Sequence, residues 1–184
     1  DQYAALYSET LTVELENEFL PFLYPNQYVN FSPDSEASKL ALSMVSENTS
    51  DIDALKQIYN YVVNNLSYDY DKAETVETGY LPDVDETLST KTGICFDYAA
   101  LTTAMLRSCD IPCKLQIGYT GDIKHAWIDV YIRSKGWVTN AVSFNGDSWS
   151  LMDPTFDSSA DSDDSEAIQD YIGNADNYTV QFTR

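Results

Sequence analysis

The sequence of 184 residues holds one histidine, His125, and three cysteines, Cys95, Cys109 and Cys113. A thiol attacks a carbonyl as its thiolate, and an adjacent imidazole can stabilise that anion as an ion pair and then hand the proton to a leaving amine. Cys95 opens a segment in which Phe96, Ala99, Ala100, Thr103, Ala104 and Leu106 recur at helical spacing. It therefore falls in the first turn of a predicted helix ending near Arg107, where unpaired backbone N–H groups favour negative charge. The position also suits a small thiol that merely packs. His125 begins a predicted strand directly after the Thr120 to Lys124 turn. A third group must hold the imidazole tautomer. Asp153 ends the predicted strand Ser148 to Met152 with Pro154 stiffening the chain behind it, and Asp157 and Asp129 are alternatives.

Three stretches carry these residues: Thr92-Gly93-Ile94-Cys95-Phe96-Asp97-Tyr98-Ala99, His125-Ala126-Trp127 and Met152-Asp153-Pro154-Thr155-Phe156-Asp157. In order and spacing they resemble the transglutaminase-like superfamily, and Met105-Leu106-Arg107-Ser108, Ile111-Pro112 and Gly118-Tyr119 extend the likeness over roughly residues 51–157. The resemblance implies a papain-like α+β fold, a Cys95/His125/Asp153 triad and reactions through a thioester on the cysteine. Those reactions are amide hydrolysis in proteins or peptides, or cross-linking with a lysine amine as acceptor; a binding module that keeps the fold without turnover is the third alternative. Two departures stand out. Asp110 occupies a position where the family commonly has glycine, and aspartate tolerates the left-handed backbone needed there. No tryptophan precedes Trp127, so the upstream tryptophan that helps hold the oxyanion in animal transglutaminases has no counterpart. The Cys95 N–H and a phenol from the preceding loop, Tyr80 ahead of Tyr68 and Tyr70, are the expected donors, each phenol being equally suited to packing. Trp127 is the expected wall of the site, or ordinary core.

The elements that must position these groups follow from periodicity. Ala37, Leu40, Ala41, Met44 and Val45 predict one helix, and Leu55, Ile58, Tyr59, Val62, Val63 and Leu66 a second, capped by Ser50 or Asp51. Ser67 to Thr92 lacks sustained periodicity and reads as a long irregular loop with at most one short strand. From Leu115 onward apolar residues alternate, and turn signals at Ser134 to Gly136 and Asn145 to Asp147 predict an antiparallel meander that brings Asp153 beside His125. Helices first and sheet second make an α+β chain with the nucleophile helix packed on an antiparallel sheet. One domain is expected over 1–184, with an N-terminal arm at 1–34 and an extension at 158–184 that includes a short helix from Ile168 and a terminal strand with Tyr178, Val180 and Phe182.

Composition bounds the partners. With 43% hydrophobic and 22% charged residues the chain is an ordinary globular one. A formal charge of −20 opposes binding to phosphate backbones or anionic lipid, so nucleic acid is excluded as a partner and a protein or peptide substrate is expected. No apolar run reaches the ~20 residues of a membrane span. No cofactor or metal is expected: the acidic run Ser158 to Glu166 lacks the spaced glycine and terminal glutamate of an EF-hand loop and reads as a solvated surface. The acidic, lysine-poor composition and a first methionine at Met44 suit an exported or cell-envelope protein whose leader has been removed. In an oxidising compartment Cys109 and Cys113, four apart, are placed for a small disulfide that leaves Cys95 free.

Overall fold

Asp51–Asn65 forms a helix because its apolar residues fall on one stripe and Ser50 caps it, the hydroxyl accepting from the Asp53 N–H at 3.2 Å. A computed structural model of the chain describes residues 7, 9–138, 143–144, 149–150 and 178–184. In chain order it contains α1 (Glu36–Met44), α2 (Asp51–Asn65), β1 (Ser67–Tyr68), α3 (Tyr70–Thr75), α4 (Val84–Thr90), β2 (Thr92–Gly93), α5 (Cys95–Ser108), β3 (Cys113–Thr120), β4 (Ile123–Ile132), β5 (Gly136–Val138), β6 (Ser143–Phe144), β7 (Trp149–Ser150) and β8 (Tyr178–Thr183). A single 3-10 turn, Leu20–Phe22, precedes them. The architecture is α+β, as expected.

Helix α5 is the centre of the fold. Residues Asp97 to Arg107 are buried without interruption, which explains why the helix carries no clear polar face. It packs between α1, α2 and α4 on one side and β3 and β4 on the other. Leu101, Ala104, Met105 and Leu106 share one apolar cluster with Leu55, Ile58, Leu115, Ile128 and Val130, each large side chain worth about 1.5–3 kcal/mol on burial. At its end the Ile111 N–H reaches the Leu106 carbonyl and the Asp110 N–H the Arg107 carbonyl, both at 3.1 Å. This is a Schellman closure, and Asp110 supplies the left-handed residue it needs, with φ at 56°. Pro112 then prevents further helix.

The main sheet runs β5-β4-β3-β8, every pair antiparallel. Among the described residues the expected meander therefore holds through β3, β4 and β5. Strands β6 and β7 pair with each other in a separate hairpin, and the other neighbour of β3 is the terminal strand β8. The expected turn at Asn145 to Asp147, Asp153 and Asp157, the acidic run and the helix from Ile168 lie outside the described residues.

The expected irregular loop over 67–92 is instead structured. Two short helices, α3 and α4, are capped by Asp69 and Asp83, and β1 pairs with β2 in parallel. Helices of six and seven residues are too short to display a periodic stripe, so only their caps announced them. The arm divides in two. Phe19 and Phe22 pack on Trp137, Phe19 also on Tyr131, and Val29 is wholly buried. Leu11, Val13 and Leu15 stay exposed. The expected disulfide is absent: all three cysteines are free, and the Cys113 sulfur turns inward to the Thr103 hydroxyl at 3.5 Å.

Candidate active site

Cys95 is the first residue of α5 and is partly exposed. Its position is fixed by the residues on either side. The Asp97 N–H reaches the Ile94 carbonyl at 2.9 Å while the Asp97 carboxylate accepts the Ile94 N–H at 2.8 Å, a reciprocal bracket around the peptide that precedes the cysteine. Gly93 makes room for it, since a Cβ there would stand 2.6 Å from the Asp97 Cβ. With the Ile94 and Asp97 amides so used, the Cys95 N–H is a first-turn donor beside the thiol.

Asp97 is completely buried, and three donors converge on it. Besides the Ile94 amide, the Lys72 ammonium lies 2.8 Å from Oδ2 and the Tyr80 hydroxyl donates to Oδ1; Lys72 also donates to the Tyr80 oxygen at 2.7 Å. Burial first, and then the bond to Asp97, push the Tyr80 phenol up to about 12. For Lys72, burial would lower the pKa, but its partners Asp97 and Tyr80 outweigh that and raise it. Tyr80, expected as an oxyanion donor, thus aims its one proton at Asp97 and braces the first turn of α5. The Lys72–Asp97 pair was missed from sequence, because its members are 25 residues apart in a stretch that shows no period. The available signals were an acidic residue at the third helical position and one lysine amid the carboxylates of 69–86.

His125 lies at the start of β4, opposite Gly118 of β3, and is 5% exposed. Its ring lies nearly parallel to that of Trp127, with centroids 6.2 Å apart and planes at 17°, and Tyr178 of β8 closes the side at 6.3 Å. Trp127 is wholly buried and meets Tyr178 edge-on at 5.1 Å, so it forms the floor behind the histidine. Gly118 permits this layer: a Cβ there would stand 1.9 Å from the Thr179 carbonyl oxygen and 3.0 Å from the Trp127 ring. Asp129, an alternative orienting group, is on the same face of β4 but four residues on, about 13 Å along the strand. It accepts instead from the Gln116 amide, whose oxygen takes the Thr183 hydroxyl at 2.7 Å. That distance removes Asp129 as a direct partner of the imidazole.

Helix α5, which begins at Cys95, packs on β3 and on β4, which carries His125. Arg107 near the end of α5 donates to the Cys113 carbonyl at the start of β3, from Nε at 3.0 Å and Nη2 at 2.8 Å, so the strand turns back beside the helix. The 14 residues of α5 span about 20 Å, and Cys113 to Gly118, the partner of His125, about 17 Å. The helix and the strand that returns from its end are thus of similar length. Asp153, beyond the described residues, follows the β6–β7 hairpin closely in sequence.

Comparison with known proteins agrees with the α+β fold. The profile of the transglutaminase-like superfamily matches residues 38–154, from α1 to just past Asp153. Over 154 residues, 71% of this chain, the sequence is 25% identical to the uncharacterised protein YebA of Bacillus subtilis, and over 62 residues, 31% of the chain, it is 40% identical to the UPF0252 protein MJ1282 of Methanocaldococcus jannaschii. The chain spans only 21% and 18% of the lengths of those two relatives. Among solved structures, a candidate cysteine protease from Cytophaga hutchinsonii superposes with a TM-score of 0.57 at 21% identity, covering 93% of this chain and 48% of its own. The periplasmic domain of TgpA from Pseudomonas aeruginosa gives 0.52 at 18% identity, covering 79% and 49%. At such identities the likeness is one of fold, but the sequence profile covers well over half of the chain. The chain belongs to the transglutaminase-like superfamily.

Proposed function

We propose that the protein is a cysteine-dependent acyl-transfer enzyme in which Cys95 is the nucleophile, His125 the general base and acid, and Asp153 the residue that orients the imidazole. The reading is supported by the placement of Cys95 at the start of the buried helix and of His125 at the start of β4, the strand that packs on that helix. The Cys95 sulfur attacks a substrate carbonyl as thiolate, its proton having passed to His125. The C–S bond forms, the oxyanion is held by the Cys95 N–H, and the C–N bond breaks as the imidazolium gives its proton to the departing amine. Water, deprotonated by His125, then attacks the thioester; the acid leaves and the thiol is restored.

Water is the proposed acceptor and a protein or peptide amide the proposed substrate, a reading supported by the fold shared with the Cytophaga hutchinsonii candidate protease. The net charge of −20 favours neutral or basic substrates. The periplasmic setting of the TgpA domain supports a cell-envelope or extracellular location, and among the described residues no helix is long and apolar enough to cross a membrane.

Turnover of casein and a broad peptide panel tests this, with amine incorporation measured in parallel. Release of new amino termini that vanishes in Cys95→Ser and His125→Ala, both still folded, is the expected result; Asp153→Asn should retain binding and lose rate by orders of magnitude. Amine incorporation in place of hydrolysis would change the acceptor to a lysine amine. Folded protein with neither activity would overturn the enzymatic reading.

A further inference from the structure

A fully buried carboxylate beside a nucleophilic thiol is an electrostatic liability. Asp97 Oδ2 lies 2.8 Å from the backbone nitrogen of Ile94, the residue before Cys95. Bond lengths then keep the Asp97 charge within about 10 Å of the Cys95 sulfur. At that distance and an effective dielectric of about 20, an uncompensated carboxylate disfavours a thiolate by about a factor of ten. An apolar residue in place of Asp97 would instead free the Ile94 amide and open the bracket that sets the helix start, whereas asparagine keeps an oxygen to accept it.

We propose that Lys72 resolves this conflict as a positioning and charge-balancing residue: acting through Asp97, with Tyr80, it fixes the Gly93 to Cys95 turn and cancels the negative charge that would oppose the Cys95 thiolate. The inference rests on Cys95 being the nucleophile. Lys72 reaches Asp97 from α3 and Tyr80 from the segment between α3 and α4, so the stretch 70–83 is bolted to the start of α5 by these two side chains. The neighbouring charged groups have other partners. Asp69 caps α3 and accepts from Thr92, Asp83 caps α4, and Asp85 takes the first amides of α1. Lys72 is thus the cation bonded to the first turn of the nucleophile's helix, Arg107 lying at its far end.

The test is the second-order rate of Cys95 alkylation by iodoacetamide at pH 7.5, resolved from the other thiols by peptide mass spectrometry, with a melting temperature for each variant. Lys72→Met should slow it about tenfold. Lys72→Arg, which keeps the charge, should recover most of the rate. The double variant Lys72→Met/Asp97→Asn, which has neither charge, should return to within about threefold of the parent, a rescue that a purely structural lysine would not give. Should Lys72→Met prove too unstable to assay, Asp97→Asn alone decides: a rate at or above the parent supports the proposal and a slower one overturns it. A folded Lys72→Met that alkylates at the parental rate, or a double variant as slow as the single, also overturns it. Alkylation is read without any substrate, so failure of peptide turnover and failure of this inference are separate results.

Discussion

The two ends of α5 solve the same problem, a buried charge, in opposite ways. At the start, the Asp97 carboxylate is met by an ammonium, a phenol and one amide. At the finish, the Arg107 guanidinium, 3% exposed, is met by backbone oxygens, with two bonds to Cys113, one to Tyr24 at 2.7 Å and one to Arg184 at 3.0 Å. Its fork geometry ties the arm, the start of β3 and the end of β8 to one point. Burial lowers the pKa of Arg107, though a guanidinium is not deprotonated in proteins. The finish is thus a clamp that cannot titrate, while the start is assembled from side chains of a separate segment and adjoins the thiol. The difference separates what holds the fold from what adjoins the Cys95 thiol.

Replacing Arg107 breaks the comparison most severely. Arg107→Met takes the side-chain donors from the buried Cys113 carbonyl and from the part-buried Tyr24 and Arg184 oxygens, the last of which keeps the Leu115 N–H, and should cost about 3–5 kcal/mol in urea denaturation. Arg107→Lys should recover only part, because an ammonium cannot reproduce the fork. A loss below about 1 kcal/mol for Arg107→Met would mean that the clamp is dispensable.

The thiols divide along the same line. Cys95 stands at the start of the helix and Cys109 and Cys113 at its finish, where burial pushes their thiols up to about 11 and about 12. At pH 8 the thiolate is then roughly one molecule in a thousand for Cys109 and one in ten thousand for Cys113. Iodoacetamide should label Cys95 at least about a hundredfold faster than either, read by peptide mass spectrometry. Comparable labelling of all three would erase the distinction between the ends.

Lys72→Met should cost about 2–3 kcal/mol of stability in urea denaturation, less than the loss of Arg107, since the Tyr80 hydroxyl and the Ile94 amide still serve the buried carboxylate. A cost equal to that of Arg107→Met would make the start of the helix as structural as its finish.

Sequence and structure agree where a signal is local. The period of α2, the Ser50 cap, the placement of Cys95 at a helix start and of His125 at a strand start, and the left-handed Asp110 are all properties of a few neighbouring residues. What escaped is long-range or short-lived in the chain. Tyr80 and Lys72 meet Asp97 from 17 and 25 residues away, and Arg107 gathers carbonyls from 83 and 77 residues away, separations that no periodicity encodes. The pairing of β8 with β3 is likewise invisible locally, since any alternating strand would fit that edge. Tyr80 was legible as a phenol near the site, but not which way its proton points. Asp129 was legible as an acid on the histidine's face, but not that the Gln116 amide satisfies it.

The smallest effect lies at the finish of the helix, where Asp51 at the start of α2 accepts from the Arg133 backbone N–H at 2.8 Å and from its guanidinium. The Arg133 side chain, bonded to it there, holds the Asp51 carboxyl below the usual carboxylate range. A depressed folded-state pKa contributes stability that is present above the unfolded value of about 4 and is lost as pH falls through the folded one. Because the Arg133 side chain is 75% exposed, solvent screening limits the contribution to about 1 kcal/mol. Asp51→Asn should therefore lower stability by about that amount at pH 7 and by progressively less below pH 4. The finish of the helix would then have a titratable brace beside its untitratable clamp, and the acid sensitivity of the fold would be lodged away from Cys95. An Asp51→Asn variant whose deficit stayed constant down to pH 2 would show instead that hydrogen bonding, without charge, carries the Asp51 contribution.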